Sequence, residues 1–182
     1  MKTERSDIRI YVASLADYNA GHLHGRWIDA TKPADEVREE IAEMLGESKE
    51  QVAEDWAIHD YEGFGGVSLS EYENIETVCQ LAELIGEHGE IFAALVANFG
   101  SGTNDLEYAQ KVMENGYNGA HESLADYARE FVEDCYSESL NGLPDFIRHN
   151  INWDGIGQDF ETNGNIFSIE FDGMVHVFDS TV

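Results

Sequence analysis

The segment from residue 121 to residue 138 carries two regular spacings at once, and few folds satisfy both. Its acidic residues recur at every fourth position: Glu122, Asp126, Glu130, Asp134 and Glu138. Its apolar residues have helical spacing and share one face: Leu124, Ala128, Phe131, Val132 and Cys135. The pattern predicts a helix that begins near Gly119, packs one face on a core and exposes a row of carboxylates on the other.

Repulsion along this acidic row is unfavourable for an isolated helix. Like charges four residues apart destabilise a helix by roughly 0.2–0.5 kcal/mol per pair, so four pairs cost about 1–2 kcal/mol. Arg129 is the only nearby base in the segment. Four helical residues rise about 6 Å, which resembles the separation of successive phosphates along one DNA strand. The row fits carboxylates that replace phosphates, although on this helix alone we favour an ordinary solvent-exposed face.

The excess of acidic residues seen in this segment extends over the whole chain. There are 37 acidic and 10 basic residues, for a formal net charge of −27. The acids are interleaved with apolar residues, and 42% hydrophobic content is compatible with a folded core. Such a surface repels nucleic acid and anionic membranes and attracts basic surfaces. At one charge per about 1.7 Å of duplex, a charge of −27 matches about 46 Å of DNA.

Two other properties of the composition indicate the cellular environment of the protein. Adaptation to a salty cytoplasm also produces acidic proteins, and four lysines in 182 residues fit that explanation. Cys79 and Cys135 fall on predicted apolar helix faces, which favours reduced, buried thiols. The sequence contains no secretory segment and no long apolar run, so we expect a cytoplasmic protein that does not contact a membrane.

Local patterns predict an α+β fold. Strands are predicted where apolar and polar residues alternate, over 8–13, 56–61, 166–171 and 174–178. Asp172-Gly173 between the last two predicts a type I′ hairpin. A loop is predicted over 15–30. Helices are predicted from capping residues and apolar stripes, over 33–46, from Ser48, from Ser70 to Gly86, and over 90–99, 104–115, 119–138 and 154–161, with one more after Pro144.

These elements predict an elongated chain of three small domains. The first, 1–63, is an α+β domain that ends at the Gly63–Gly66 cluster. The second, 64–116, is a helical bundle. The third, 117–182, is a second α+β domain that contains the acidic helix.

Residue patterns typical of catalysis or metal binding are weak. His22-x-His24 is the only close histidine pair, and it lacks a zinc-site spacing. Carboxylate pairs are abundant by composition, so none is informative. Nucleophile elbows and phosphate-binding glycine loops are absent from the sequence. We therefore expect no catalytic residue, metal site or cofactor, and no direct binding of nucleic acid.

Several ordered motifs resemble the ArdA-type antirestriction proteins. They run from Ile10-Tyr11-Val12 through Tyr18-Asn19-x-Gly21 to Gly25-Arg26-Trp27-x-Asp29, followed by Asp60-Tyr61-Glu62-Gly63-Phe64. The region from 131 to 151, with Leu143-Pro144, resembles the part known as the antirestriction motif, and His176-Val177-Phe178 fits the closing strand. The resemblance covers nearly the whole chain, but the end of the acidic helix and its exit loop are longer here.

The resemblance implies an inhibitor that mimics duplex DNA. Proteins of this family occupy the DNA-binding groove of type I restriction–modification enzymes, formed by the methyltransferase core and its specificity subunit, and block restriction and often modification. They are elongated three-domain proteins that form homodimers through the C-terminal domain, and mobile genetic elements typically carry them. The antirestriction-motif positions here are Leu140, Leu143, Pro144 and Asp145.

Individual acids do not align across such proteins, so the candidate mimic acids follow mainly from the helix pattern. They are Glu107, Glu114, Glu122, Asp126, Glu130, Glu133, Asp134 and Glu138. Two other functions remain open. One is an acidic binding protein for a different basic DNA-binding partner, and the other is a carboxylate-based, metal-dependent hydrolase.

Overall fold

The computed structural model describes residues 8–50, 52–100 and 102–182. Helices are combined with two three-stranded antiparallel sheets, so the predicted α+β class is confirmed. The chain divides into two compact units, the first ending at Leu106 and the second running from Glu107 to Val182. The three-domain division stays a prediction.

The first unit is built around a sheet in the order β2-β1-β3. Its strands are β1 (Arg9–Ser14), β2 (Gly25–Asp29) and β3 (Trp56–Glu62), and its helices are α1 (Leu15–Asn19), α2 (Ala34–Gly46), α3 (Ile75–His88) and α4 (Glu90–Phe99). Ile10 and Val12 of the central strand are completely buried, as is Val37 of α2. The alternation in β1 and the apolar stripe of α2 therefore face the same core.

Two predictions in the first unit are wrong. The predicted loop over 15–30 contains α1 and β2, and β2 pairs antiparallel with β1, with Tyr11 opposite Trp27. No helix begins at Ser48 within the described residues, and the partner expected at Gln51 lies outside them. The hydroxyl of Ser48 instead donates to Asp17 Oδ2 at 2.5 Å and accepts the backbone N–H of Glu50.

The Gly63–Gly66 cluster approaches helix α4 closely. A Cβ on Gly65, whose φ is +58°, would lie 2.8 Å from the Cβ of Ala93. The predicted capping turn follows it: the Ser70 N–H donates to Glu73 Oε2 at 3.3 Å. The helix itself begins later, because Asn74 is the N-cap of α3 and accepts the N–H of Glu76 at 2.8 Å.

The second unit contains the sheet β4-β6-β5 and most of the remaining helices. The elements are α5 (Leu106–Gly116), which spans the boundary, β4 (Tyr117–His121), α6 (Leu124–Cys135), α7 (Ser137–Asn141), α8 (Asp145–Arg148), α9 (Trp153–Thr162), β5 (Ile166–Phe171) and β6 (Met174–Asp179). The predicted hairpin is confirmed, since Phe171 pairs with Met174 and both turn residues have positive φ, 50° at Asp172 and 75° at Gly173.

The acidic helix is shorter than its sequence pattern predicts. Residues 117–121 form strand β4, which pairs with β6, so the helix does not begin near Gly119. It ends at Cys135, and a separate short helix begins at Ser137. Cys79 is buried as predicted, but Cys135 is exposed because α6 ends before this part of its apolar face reaches the core.

Candidate acidic partner-binding surface

The first turn of α6 is fixed by a capping interaction between Ser123 and Asp126. The Ser123 hydroxyl donates to Asp126 Oδ2 at 2.6 Å and accepts the Asp126 N–H at 3.1 Å. The carboxylate also lies at the positive end of the helix dipole, which stabilises it there. Asp126 is therefore partly engaged in forming the helix.

Helix α6 is held against α9 and the second sheet by its apolar face. Tyr127 packs in a small core with Ile166 and Val177. Helix α9 approaches very closely at Gly157, where a Cβ would lie 2.8 Å from the carbonyl oxygen of Leu124. This contact orients α6 so that its acidic positions face away from the core.

The structure brings only part of the predicted acidic row onto one helix. Asp126, Glu130 and Asp134 lie on α6 at the expected spacing, whereas Glu122 precedes the helix and Glu138 lies on α7. The prediction of a continuous five-residue row is therefore wrong.

The remaining candidate acids are on α5 and α6. Glu107 and Glu114 are exposed on α5, and Glu114 accepts a hydrogen bond from Gln110 at 2.8 Å. Glu133 is exposed on α6, next to Asp134.

Two acids of the row contact neighbouring side chains. Glu130 Oε2 lies 3.1 Å from His121 Nδ1, and the other ring nitrogen of His121 lies 3.1 Å from the Asn118 carbonyl oxygen. Asp126 Oδ1 lies 3.5 Å from Arg129 Nη2. Within the described ranges, Glu122, Glu133, Asp134 and Glu138 form no ion pair with a basic side chain. These four acids keep their negative charge available to a partner.

The first unit adds acids that the sequence pattern did not single out. Four of its bases form ion pairs at the surface, namely Arg9 with Glu62, Arg26 with Glu43 and Glu47, Lys32 with Glu40, and Arg38 with Asp35 and Glu76. The hydrogen bond to Glu40 raises the pKa of Lys32. Bonding to its own backbone N–H, and then to Arg38, lowers the pKa of Glu76. These pairs depend on the tertiary fold, and helix periodicity does not reveal them.

The antirestriction-motif positions lie on α7, α8 and the turn between them. Leu140 is buried, whereas Leu143, Pro144 and Asp145 are exposed. Asp145 accepts a hydrogen bond from Arg148 Nη2 at 2.6 Å. Phe146 is 73% exposed beside them, so this region combines charge with uncovered apolar surface.

No cluster of three or more potential metal ligands occurs among the described residues. In the same part of the chain, no helix is both long and apolar enough to cross a membrane.

Comparison with known proteins gives one family. A comparison with curated proteins finds no match. The sequence profile of the family described as antirestriction protein (ArdA) matches residues 10–175, which includes the motifs of the resemblance up to residue 151 but not His176-Val177-Phe178. That family consists of inhibitors of restriction, and its match spans most of the 182 residues. The chain therefore belongs to the ArdA family of antirestriction proteins.

Proposed function

We propose that this protein inhibits type I restriction–modification enzymes by occupying their DNA-binding groove with the charge and shape of a duplex. The observation that carries the proposal is the imbalance of charge on the folded surface. In the second unit, 15 acidic residues accompany three basic residues, and two of those bases contact acids on their own helices. The acids without ion-pair partners would be neutralised by the bases that bind phosphates in such a groove.

Electrostatic complementarity sets the expected behaviour of the complex. A groove that binds duplex DNA is lined by lysines and arginines, and contacts with phosphates weaken steeply as salt rises. Carboxylates that replace phosphates would lose affinity for the same groove as salt rises. Affinity would be spread over many acids, so the proposal does not depend on one residue.

Binding to a purified type I methyltransferase core with its specificity subunit is the direct test. The expected result is tight binding at low salt, release near molar salt, and competition with duplex DNA for the same groove. Binding that ignores salt, or that occurs together with bound duplex, would contradict the mechanism. The same assay run with a metal chelator separates this proposal from one that needs a bound metal, because binding by carboxylates alone survives chelation.

We also propose that the active form is a homodimer joined through the C-terminal domain. The support is the exposed apolar surface of α7, α8 and the preceding residues, formed by Tyr136, Leu143, Phe146 and Ile147. Sedimentation of the wild type as a dimer, and of Phe146→Glu as a monomer, is expected. Tyr72→Glu is the matched control, because Tyr72 is 70% exposed in the first unit. A wild type that stays monomeric at micromolar concentration would contradict the dimer.

We also propose that the chain divides into three small domains. We propose as well that a mobile genetic element carries its gene. Limited proteolysis is the test of the domains. Cleavage near residue 64 that releases a stable fragment supports the additional boundary. Cleavage confined to the neighbourhood of residue 106 favours two units.

A further inference from the structure

Two of the three basic residues in the second unit line a single cavity. Arg129 and Arg148 border a space of about 420 Å³, formed by α6, α7, α8 and α9. Sites for small ligands in proteins commonly have volumes of about 300–1,000 Å³. Two of three bases on one lining distinguish this cavity from the rest of the unit, with Glu133 on the same lining and an ion-paired acid beside each arginine.

Both arginines keep donors available after their own ion pairs are counted. Arg148 contacts Asp145 through Nη2 at 2.6 Å, and Arg129 contacts Asp126 through Nη2 at 3.5 Å. A guanidinium group has five N–H donors in a planar fork, and this fork matches phosphate oxygens. Ser137 lies on the same lining, and its side chain is a further donor type for an oxyanion.

The rest of the lining is suited to a ring that carries hydrogen-bond donors. Trp153 presents an aromatic surface and Leu140 an apolar one, while Asn141 contributes an amide. Glu133 lies on the same lining and can accept from a hydroxyl or amine group. An inorganic anion would use the arginines and leave these groups without a role.

We propose that this cavity binds a nucleoside monophosphate, with the phosphate on the arginines and the nucleoside toward Trp153 and Glu133. The inference is independent of the proposed inhibition of restriction enzymes. Distant acids of the unit oppose an anionic ligand only weakly, because the Debye length is about 8 Å at physiological salt. The acids closest to the arginines are Asp145 and Asp126, which are ion-paired to them, and Glu133 on the lining is assigned to the nucleoside and not to the phosphate.

Nuclear magnetic resonance of the full-length, ¹⁵N-labelled protein tests the proposal. The probe is the indole N–H of Trp153, assigned by comparison with Trp153→Phe. Adenosine monophosphate should shift this signal saturably at millimolar concentration or below, inorganic phosphate should bind more weakly, and adenosine should bind most weakly. Absence of a saturable shift with adenosine monophosphate would overturn the proposal. Equal affinity for inorganic phosphate would overturn the placement of the nucleoside.

Variants of the lining give the second arm of the test. Arg129 also lines a neighbouring cavity beside His121 and Glu122, so Arg148 is the sharper target. Arg148→Gln should weaken binding of adenosine monophosphate by about tenfold or more, because a charge-assisted bidentate contact is lost. Arg148→Lys keeps the charge without the fork and should weaken binding by a smaller factor. Lys111→Gln, an exposed base of the same unit, is the matched control and should bind as the wild type does. Wild-type affinity in a folded Arg148→Gln would overturn the proposal.

Discussion

The carboxylate of Glu130 lies 3.1 Å from Nδ1 of His121, so one member of the acidic row is engaged by a side chain of its own unit. Asp126 is engaged in the same way, by Ser123 and Arg129. The members of the row are therefore unequal. Asp134, which is exposed and makes no ion pair within the described residues, is the cleaner probe of partner binding.

Reversal of one exposed charge should weaken binding to the restriction enzyme only modestly. We expect Asp134→Lys to reduce affinity by about fivefold at low salt, because one exposed pair contributes up to about 1 kcal/mol. Asp134→Asn should have a smaller effect, and raising the salt should reduce both effects. Equilibrium binding at two salt concentrations measures this, with circular dichroism to check the fold. Loss of all inhibition in a folded Asp134→Lys would indicate a local hot spot instead of distributed charge.

The effects of charge reversal at several exposed acids on binding affinity should be additive. Glu133→Lys, Asp134→Lys and Glu138→Lys together remove three of the unpaired acids on α6 and α7. We expect the combined variant to lose affinity by roughly the product of the single effects, with some departure for the adjacent pair. The slope of affinity against salt should also become shallower. An unchanged slope would show that these positions lie outside the contact.

Two helical glycines should respond to alanine in opposite directions. In Gly157→Ala the new methyl group would meet the carbonyl oxygen of Leu124 at 2.8 Å, so we expect a loss of about 1–3 kcal/mol as α9 moves from α6. Gly86 lies in α3, and a Cβ added there would have no heavy atom within 4 Å outside its own helical turn. Gly86→Ala should therefore gain about 0.4–1 kcal/mol. Urea denaturation of both variants measures the difference, and equal destabilisation would contradict the close packing of α9.

The elements predicted correctly are those defined by local chemistry. Asp172-Gly173 fixes its hairpin through backbone conformations that those two residues adopt readily. Strand β4 was missed because Tyr117–His121 has no apolar alternation, and its partner β6 is distant in sequence. Helix α6 ends at Cys135 without a glycine or proline to mark the end.

The candidate acidic surface was also predictable only in part. Helical spacing identified Asp126, Glu130 and Asp134 as neighbours on one face. It did not predict that His121 contacts Glu130, because that contact requires β4 to lie beside α6. The spacing of acidic residues along a helix predicts where their charges lie, and only the tertiary fold shows which of them contact other side chains.

The two cysteines should differ strongly in reactivity. Burial raises the pKa of Cys79 to about 11, so very little thiolate is present at pH 8. Cys135 is exposed. We expect an aromatic disulfide reagent to label one thiol rapidly in the native protein and the second only on unfolding. Cys135→Ser should remove the rapid phase, and Cys79→Ser should leave it unchanged. Rapid labelling of Cys79 in the native state would contradict its burial.

Protonation of His176 should destabilise the fold at mildly acidic pH. Burial lowers the pKa of His176 below its ordinary value of 6.5, although a hydrogen bond with the Phe171 backbone and the charge of Asp172 act in the opposite direction. The hydroxyl of Tyr117 lies 2.7 Å from His176 Nδ1, within hydrogen-bonding distance.

The direction of the pH effect follows from proton binding. Below pH 6.5 the unfolded chain takes up a proton at this histidine more readily than the folded chain does, so stability falls as pH decreases from 6.5 toward the folded pKa. Above pH 6.5 this contribution is constant. We expect His176→Gln to be less stable at pH 7.5 but to lose less stability than the wild type between pH 7.5 and pH 5.5. Urea denaturation at both pH values measures this, and the difference between the two proteins removes the common effect of the other histidines and the carboxylates. Equal losses in the two proteins would show that His176 is protonated as readily in the folded chain as in the unfolded one.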